Sequence, residues 1–249
     1  MYYNSNSKLT VLNEADNSKL KKIAKHLIHQ VNMPQLGLYS NMRSDDIWRN
    51  LILQFCVVSG RRMAGDLRKD KKKLKEFGEK LNFRLLISKK DGRKDYMSRV
   101  LKEYKATSFY NKQAEKINDV LENSNVIYHN KIVLLNGIDH EKQNYKEIRD
   151  SLVNRVPHFK VKSASDFMIE NGLSLNVIGL NTRIAEVLIH HFGLNVDNQK
   201  IQSSQKMYES IEDALRKAGI KMGVPLAYLS RMLYYYSEKD TISFILEDL

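Results

Sequence analysis

Cysteine is nearly missing from this chain: Cys56 is the only one in 249 residues. Its solitude excludes an internal disulfide and any four-cysteine zinc or iron–sulfur site built from this chain alone. Cys56 lies inside the apolar stretch LILQFCVVSG and reads as a buried, inert thiol. No metal and no cofactor is expected. Proline and glycine are scarce too, three and eleven, which disfavours a turn-rich β fold and points to a mostly α one. No apolar run approaches the roughly 20 residues of a bilayer span, and MYYNSNSKLT has no signal-peptide core. The expectation is a soluble, cytoplasmic protein with no membrane partner. Acidic residues are the last shortage: 29 stand against 41 Lys and Arg, a formal charge of +12. Such an excess favours a polyanionic partner, because each neutralised phosphate releases condensed counterions. Charge alone fits a generic basic surface equally well.

What is present is helical periodicity. In NSKLKKIAKHLIHQV (17–31), Leu20, Ile23, Ala24, Leu27, Ile28 and Val31 share one stripe with lysines opposite. SDDIWRNLILQFCVVSG starts with Ser44 as a cap and two acidic first-turn residues, then becomes too apolar for a surface helix. A lysine-rich helix follows, and its run KDKKKLK reads as a solvated face. FRLLISKKDGRK is either a hairpin or an irregular excursion, and VIYHNKIVLLNGIDHEK either a short helix pair or a ribbon. YMSRVLKEYK, FYNKQAEKINDVLEN and NYKEIRDSLVN each read as helices. Gly193 and Gly219 mark the stops of two later helices. TISFILEDL is a tail that either packs back or frays.

The stretch YKEIRDSLVNRVPHFKVKSASDFMIEN has helix, short turn, helix organisation. Free N–H groups at the start of its second helix can hold a phosphate without reading sequence. Arg155, Lys160 and Lys162 flank that position. An ordinary helical hairpin with basic decoration shows the same spacing.

The order helix, turn, Lys-opened helix, loop and [D/N]-x-R resembles the helix–hairpin–helix DNA glycosylase superfamily, and within it the archaeal-type bifunctional 8-oxoguanine glycosylase/AP lyases. DIWRNLILQFCVVSGRRMAGDLR is similar to the early core helix and loop of that family, ATSFYNKQAEKI to its aromatic and basic helix, and MYESIEDALRKAGIKMGVPLAYLSRMLYYY to its closing helices. The likeness covers roughly 44–236, with 83–99 and 126–142 poorly matched. It implies an all-α, two-lobed fold with a DNA cleft between the lobes. The expected parts are an N-terminal helix (1–45) packing with the C-terminal lobe, a middle lobe (46–155), the helix–hairpin–helix (145–171) and the C-terminal lobe (156–249). The implied partner is double-stranded DNA with a modified base or abasic site. The protein is expected to be a monomer, nucleoid-associated in a bacterium or archaeon.

The resemblance assigns Lys162 as the nucleophile that attacks C1′ of a flipped nucleotide and forms a Schiff base. A helix N-terminus and Lys160 both disfavour its ammonium form. Asn181 stands where the family has an aspartate, and an amide offers a dipole but neither charge nor a titratable oxygen. Three explanations stay open: a substitution engineered to trap a complex, compensation by another acid such as Asp166 or Glu186, or a natural, catalytically silent DNA binder. The family's Gly-x-Gly turn is His158, Phe159, Lys160 here, so His158 and Lys160 become candidate side-chain contacts to phosphate. Arg61, Arg62 and Met63 occupy the place of the wedge that fills the hole of a flipped base, and Arg183 closes the [D/N]-x-R motif. Trp48, Gln54, Phe55, Phe167, Tyr228 and Tyr235 are the available base-pocket residues, although aromatics at helical spacing are commonly core. The departures also leave open a bulky phage-type modified base, and with it a defence role.

Overall fold

The computed structural model describes residues 12–57 and 63–238. In chain order its helices are α1 (Glu14–Leu27), α2 (Ser44–Cys56), α3 (Met63–Lys69), α4 (Lys71–Lys80), α5 (Phe83–Ser88), α6 (Arg93–Glu103), α7 (Tyr110–Glu122), α8 (Tyr145–Arg155), α9 (Val161–Asn171), α10 (Thr182–Phe192), α11 (Asn198–Ser203), α12 (Gln205–Met222) and α13 (Leu226–Glu238). A two-stranded ribbon, β1 (Ile127–Tyr128) and β2 (Lys131–Ile132), lies between α7 and α8. No helix among the described residues is long and apolar enough to cross a membrane.

The chain divides into one unit of residues 37–173 and another of 1–36 with 174–249. The helix–hairpin–helix therefore lies wholly within the first unit. The expected boundary at 155/156 is displaced to 173/174 because α9 packs on α8 and α2.

In the 37–173 unit, α2 is the central helix. Seven of its residues are buried, from Trp48 and Leu51 through Cys56, so it buries more than the single stripe of a surface helix. Trp48 donates its indole N–H to the Leu81 carbonyl at 2.8 Å, which anchors α2 to the end of α4. Burial pushes the Cys56 thiol up to about 12, as suits an inert core residue. The N-cap of α2 is Arg43, not Ser44, and it makes no side-chain cap bond; Asp45 and Asp46 in the first turn complement the helix dipole instead. The lysine-rich segment is two helices, α3 and α4, because the Asp70 carboxylate accepts the Lys73 N–H and starts a new helix. Lys71, Lys72, Lys73 and Lys75 are exposed, as a solvated face requires.

The ambiguous FRLLISKKDGRK is neither hairpin nor irregular. Asn82 caps α5, and Gly92, at φ +63°, begins α6. The DG pair is a turn between helices rather than between strands. Antiparallel α6 and α7 are tied by Arg93, which bonds Asn118 at 2.9 Å and Glu122 at 2.8 Å. VIYHNKIV is the ribbon alternative: His129 and Asn130 both take positive φ, 47° and 58°, as a two-residue type I′ hairpin demands.

In the other unit, α1 starts three residues earlier than its apolar stripe suggests. Asn13 and Asp16 form a capping box, and Leu20, Ile23, Ala24 and Leu27 are buried. The stop at Gly193 stands, with φ +60°. Gly219 does not stop α12, which runs on to Gly223 at φ +68°. Gly219 is needed for proximity: a Cβ there would lie 2.6 Å from the Val224 carbonyl oxygen. Helices α1 and α10 pack against α13. TISFILEDL lies outside the described residues.

Candidate active site

The capping box of Asn144 and Glu147 begins α8, and a five-residue turn carries the chain into α9. At the position where a glycine would be conventional, His158 takes φ +66°, so the left-handed backbone of the turn is kept without glycine. Such a conformation is held only when the surroundings impose it. Two contacts do so. His158 Nε2 pairs with the Asp119 carboxylate on α7 at 2.6 Å, and Phe159 is buried against Phe55 and Phe167, ring centroids 5.5 and 6.0 Å apart.

Lys162 stands in the first turn of α9 with its Nζ 2.8 Å from the Asp166 carboxylate. Both side chains are about four-fifths buried, 20% and 22% exposed. Asp166, which the sequence places one helical turn beyond Lys162, is thus in direct contact with it. That carboxylate binds the ammonium and is also the group in contact that can accept its proton. Lys160 is the N-cap of α9, exposed and without a side-chain cap bond.

Two expected phosphate ligands are engaged elsewhere. Arg155 Nη1 donates to the carbonyls of Leu134 and Asn136 at 3.1 and 2.8 Å, clipping the loop after the ribbon to α8. His158 faces a carboxylate, which replaces the anion it was expected to meet. Among the base-pocket residues, Trp48, Phe55 and Phe167 are 1%, 7% and 0% exposed. Their rings are packed in the core. Gln54 differs: it is 5% exposed, and neither side-chain amide atom has a hydrogen-bond partner among the described residues. Met63 opens α3 half-buried, while Arg61 and Arg62 lie outside the described residues.

Asn181 belongs to the 174–249 part of the other unit. It is the N-cap of α10, and its side-chain oxygen accepts the Ile184 N–H at 3.0 Å. The segment before it is fastened to α12 and α13. Tyr208 donates to the Ile178 carbonyl and accepts from Leu180 N–H at 3.2 Å, and Glu212, fully buried, accepts from Ile178 N–H at 3.3 Å. Gln202 holds the Leu180 carbonyl at 2.7 Å, and Ser230 accepts the Gly179 N–H at 3.4 Å. No sequence signal singled out these anchors, because each is an ordinary helical residue until the loop folds onto it. Arg183 lies over the Tyr234 ring at 5.4 Å. Tyr228 and Tyr235, seven residues apart on α13, share one face and are half-buried. Glu186 is exposed.

No family model matches this chain, and no curated protein matches it by sequence. Solved structures do. The 8-oxoguanine DNA glycosylase of Methanocaldococcus jannaschii is 19% identical with a TM-score of 0.59, over 88% of this chain and 92% of that one. The 8-oxoguanine glycosylase/lyase of the same organism, in complex with a 15mer DNA containing 8-oxoguanine, is 18% identical with a TM-score of 0.60, over 90% and 97%. The likeness extends over nearly the whole of both molecules, so this mostly helical chain has the fold of those two structures.

Proposed function

We propose that this protein is a DNA glycosylase with AP lyase activity, acting on a modified base flipped out of double-stranded DNA. The observation that carries the reading is the Lys162–Asp166 pair, 2.8 Å apart in the first turn of the second hairpin helix. A neutral amine is required for attack, and the paired carboxylate is placed to take the proton. The amine nitrogen bonds to C1′ as the C1′–N bond breaks, and the base leaves with the electron pair and takes up a proton. Opening of the sugar gives the Schiff base. Loss of a C2′ proton then expels the 3′ phosphate by β-elimination and nicks the strand. The net charge of +12 favours the DNA partner. Because both structural neighbours are 8-oxoguanine glycosylases, that base is the first substrate to test. The protein acts as a monomer, and a bulkier base of the kind found in phage DNA is the next candidate.

Asn181 supports a second reading, a duplex binder that holds lesions without cleaving them. An amide keeps the N-cap but supplies no charge to a developing oxocarbenium ion. Borohydride trapping on abasic-site DNA separates the two. The glycosylase reading expects a covalent adduct that vanishes in Lys162→Ala. No adduct from the wild type, and none after Asn181→Asp, leaves only the binder.

A further inference from the structure

Helix α7 carries Lys112, Lys116 and Asp119 at a spacing of four and three residues, which sets them along one face. The 2.6 Å pair between Asp119 and His158 fastens the hairpin turn to that same face. Lys160 follows His158 by two residues on that turn and is exposed. The proximity of the three lysines is felt electrostatically: burial first, then Lys112, then Lys160 hold the Lys116 ammonium below the ordinary lysine range. None of the three forms an ion pair among the described residues, whereas Lys73, Lys75 and Lys80 pair with Asp70, Glu79 and Glu103. Asp119, the carboxylate on that face, is taken up by His158, so the lysines keep a net positive charge that opposes folding and is explained by an anion that arrives later. The uncapped start of α9, with its own free N–H groups, adjoins it.

We propose that Lys112, Lys116 and Lys160 form a clamp for the DNA backbone, gripping phosphate beside the start of α9 through side-chain charge where a glycine turn would offer backbone N–H groups. The clamp rests on the DNA reading above and adds to it a contact surface on α7. It is sequence-blind, because ammonium groups on phosphate position a duplex without reading its bases. Of the sources of phosphate, a duplex is favoured over a free ion. Three separate ammonium groups and a helix start offer more donors than one small anion can use.

The test is the salt dependence of duplex binding, followed by fluorescence anisotropy, for the wild type, Lys112→Gln/Lys116→Gln and the control Lys71→Gln/Lys72→Gln on α4. Each phosphate contact contributes roughly 0.9 to the slope of log affinity against log salt, so the clamp variant should lose about 1.8. Between about 50 and 200 mM salt, wild-type affinity should therefore fall on the order of tenfold more than that of the variant. The control pair removes the same charge and should leave the slope in place. Without DNA, the melting temperature of the clamp variant should equal or exceed that of the wild type, since repulsion is relieved. A steep wild-type slope that the clamp variant keeps overturns the clamp and leaves the glycosylase reading standing. A wild type that binds duplex without salt dependence overturns both.

Discussion

The hairpin and the segment leading into Asn181 hold their functional side chains by opposite means. At the hairpin, polar and charged side chains do the holding: Asp119 grips His158, Asp166 grips Lys162, and Lys112 and Lys160 repel Lys116. Before Asn181, hydrogen bonds do it: neutral, buried ones from Tyr208 and Ser230, a part-buried one from Gln202, and one to the buried Glu212 carboxylate. Ion pairs that are partly exposed are weak and salt-sensitive, whereas buried hydrogen bonds are costly to break. On the proposed DNA reading, the hairpin can exchange its partners for an incoming polyanion, while the Asn181 segment stays where it is.

Replacing Asn181 with Asp sharpens this contrast most. The cap should survive, since Asp and Asn cap helices about equally, so melting should not change. Restored charge should raise single-turnover base release or lyase rate by about 10²- to 10⁴-fold. An unchanged rate in a well-folded Asn181→Asp protein would mean that position 181 supplies no catalytic charge in this chain. Breaking the other side of the contrast, Glu212→Ala removes a fully buried carboxylate paired with Arg216 at 3.2 Å. Loss of one partner of such a pair costs about 3–5 kcal/mol. Arg216 also pairs with Asp213 and bonds Asn176, so the lower figure is expected. Denaturant unfolding should read about 3 kcal/mol, and a change below about 1 kcal/mol would show that the segment is not anchored there. Asp119→Asn is the matching test at the hairpin. That pair is 39% and 50% exposed, so stability should move by no more than about 1 kcal/mol. DNA affinity at low salt should rise as a negative charge leaves the lysine cluster. A large loss of melting temperature instead would make the pair a structural staple.

How much of this the sequence disclosed follows the same division. Features set by local chemistry were legible: the stripe of α1, the apolar run of α2, the hairpin helices, the buried thiol and the paired spacing of Lys162 and Asp166. Features set by contacts between distant segments were not. Asp70 splitting a lysine-rich helix is a cap that competes with strong helix formers on both sides, and Gly219 inside α12 looks like a stop until the Val224 carbonyl shows why only glycine fits. Arg155 and His158 invited a phosphate reading because their partners, at 134, 136 and 119, lie 19 to 39 residues away. The lysines of α7 were passed over for the converse reason. Two lysines in a helix mean little until a turn more than 40 residues on brings a third beside them.

The smallest expected effect is a pH dependence confined to the Asn181 unit. On α10, burial first, then His190 and Lys19, hold the His191 ring below its ordinary value of 6.5, and its ring packs edge-on against Tyr236 at 5.6 Å. Unfolded, His191 takes up a proton near 6.5; folded, it does so only at lower pH. The unfolded chain therefore binds more protons as pH falls from about 7 through that window, and stability falls with it. The contribution is present above 6.5 and lost below. His191→Gln has no proton to gain and should flatten the slope of melting temperature against pH between about 7 and 5. The Lys112→Gln/Lys116→Gln variant should leave that slope untouched, because both lysines belong to the 37–173 unit and His191 to the other. An equal change in both variants would mean that the two units do not unfold as separately sensitive parts.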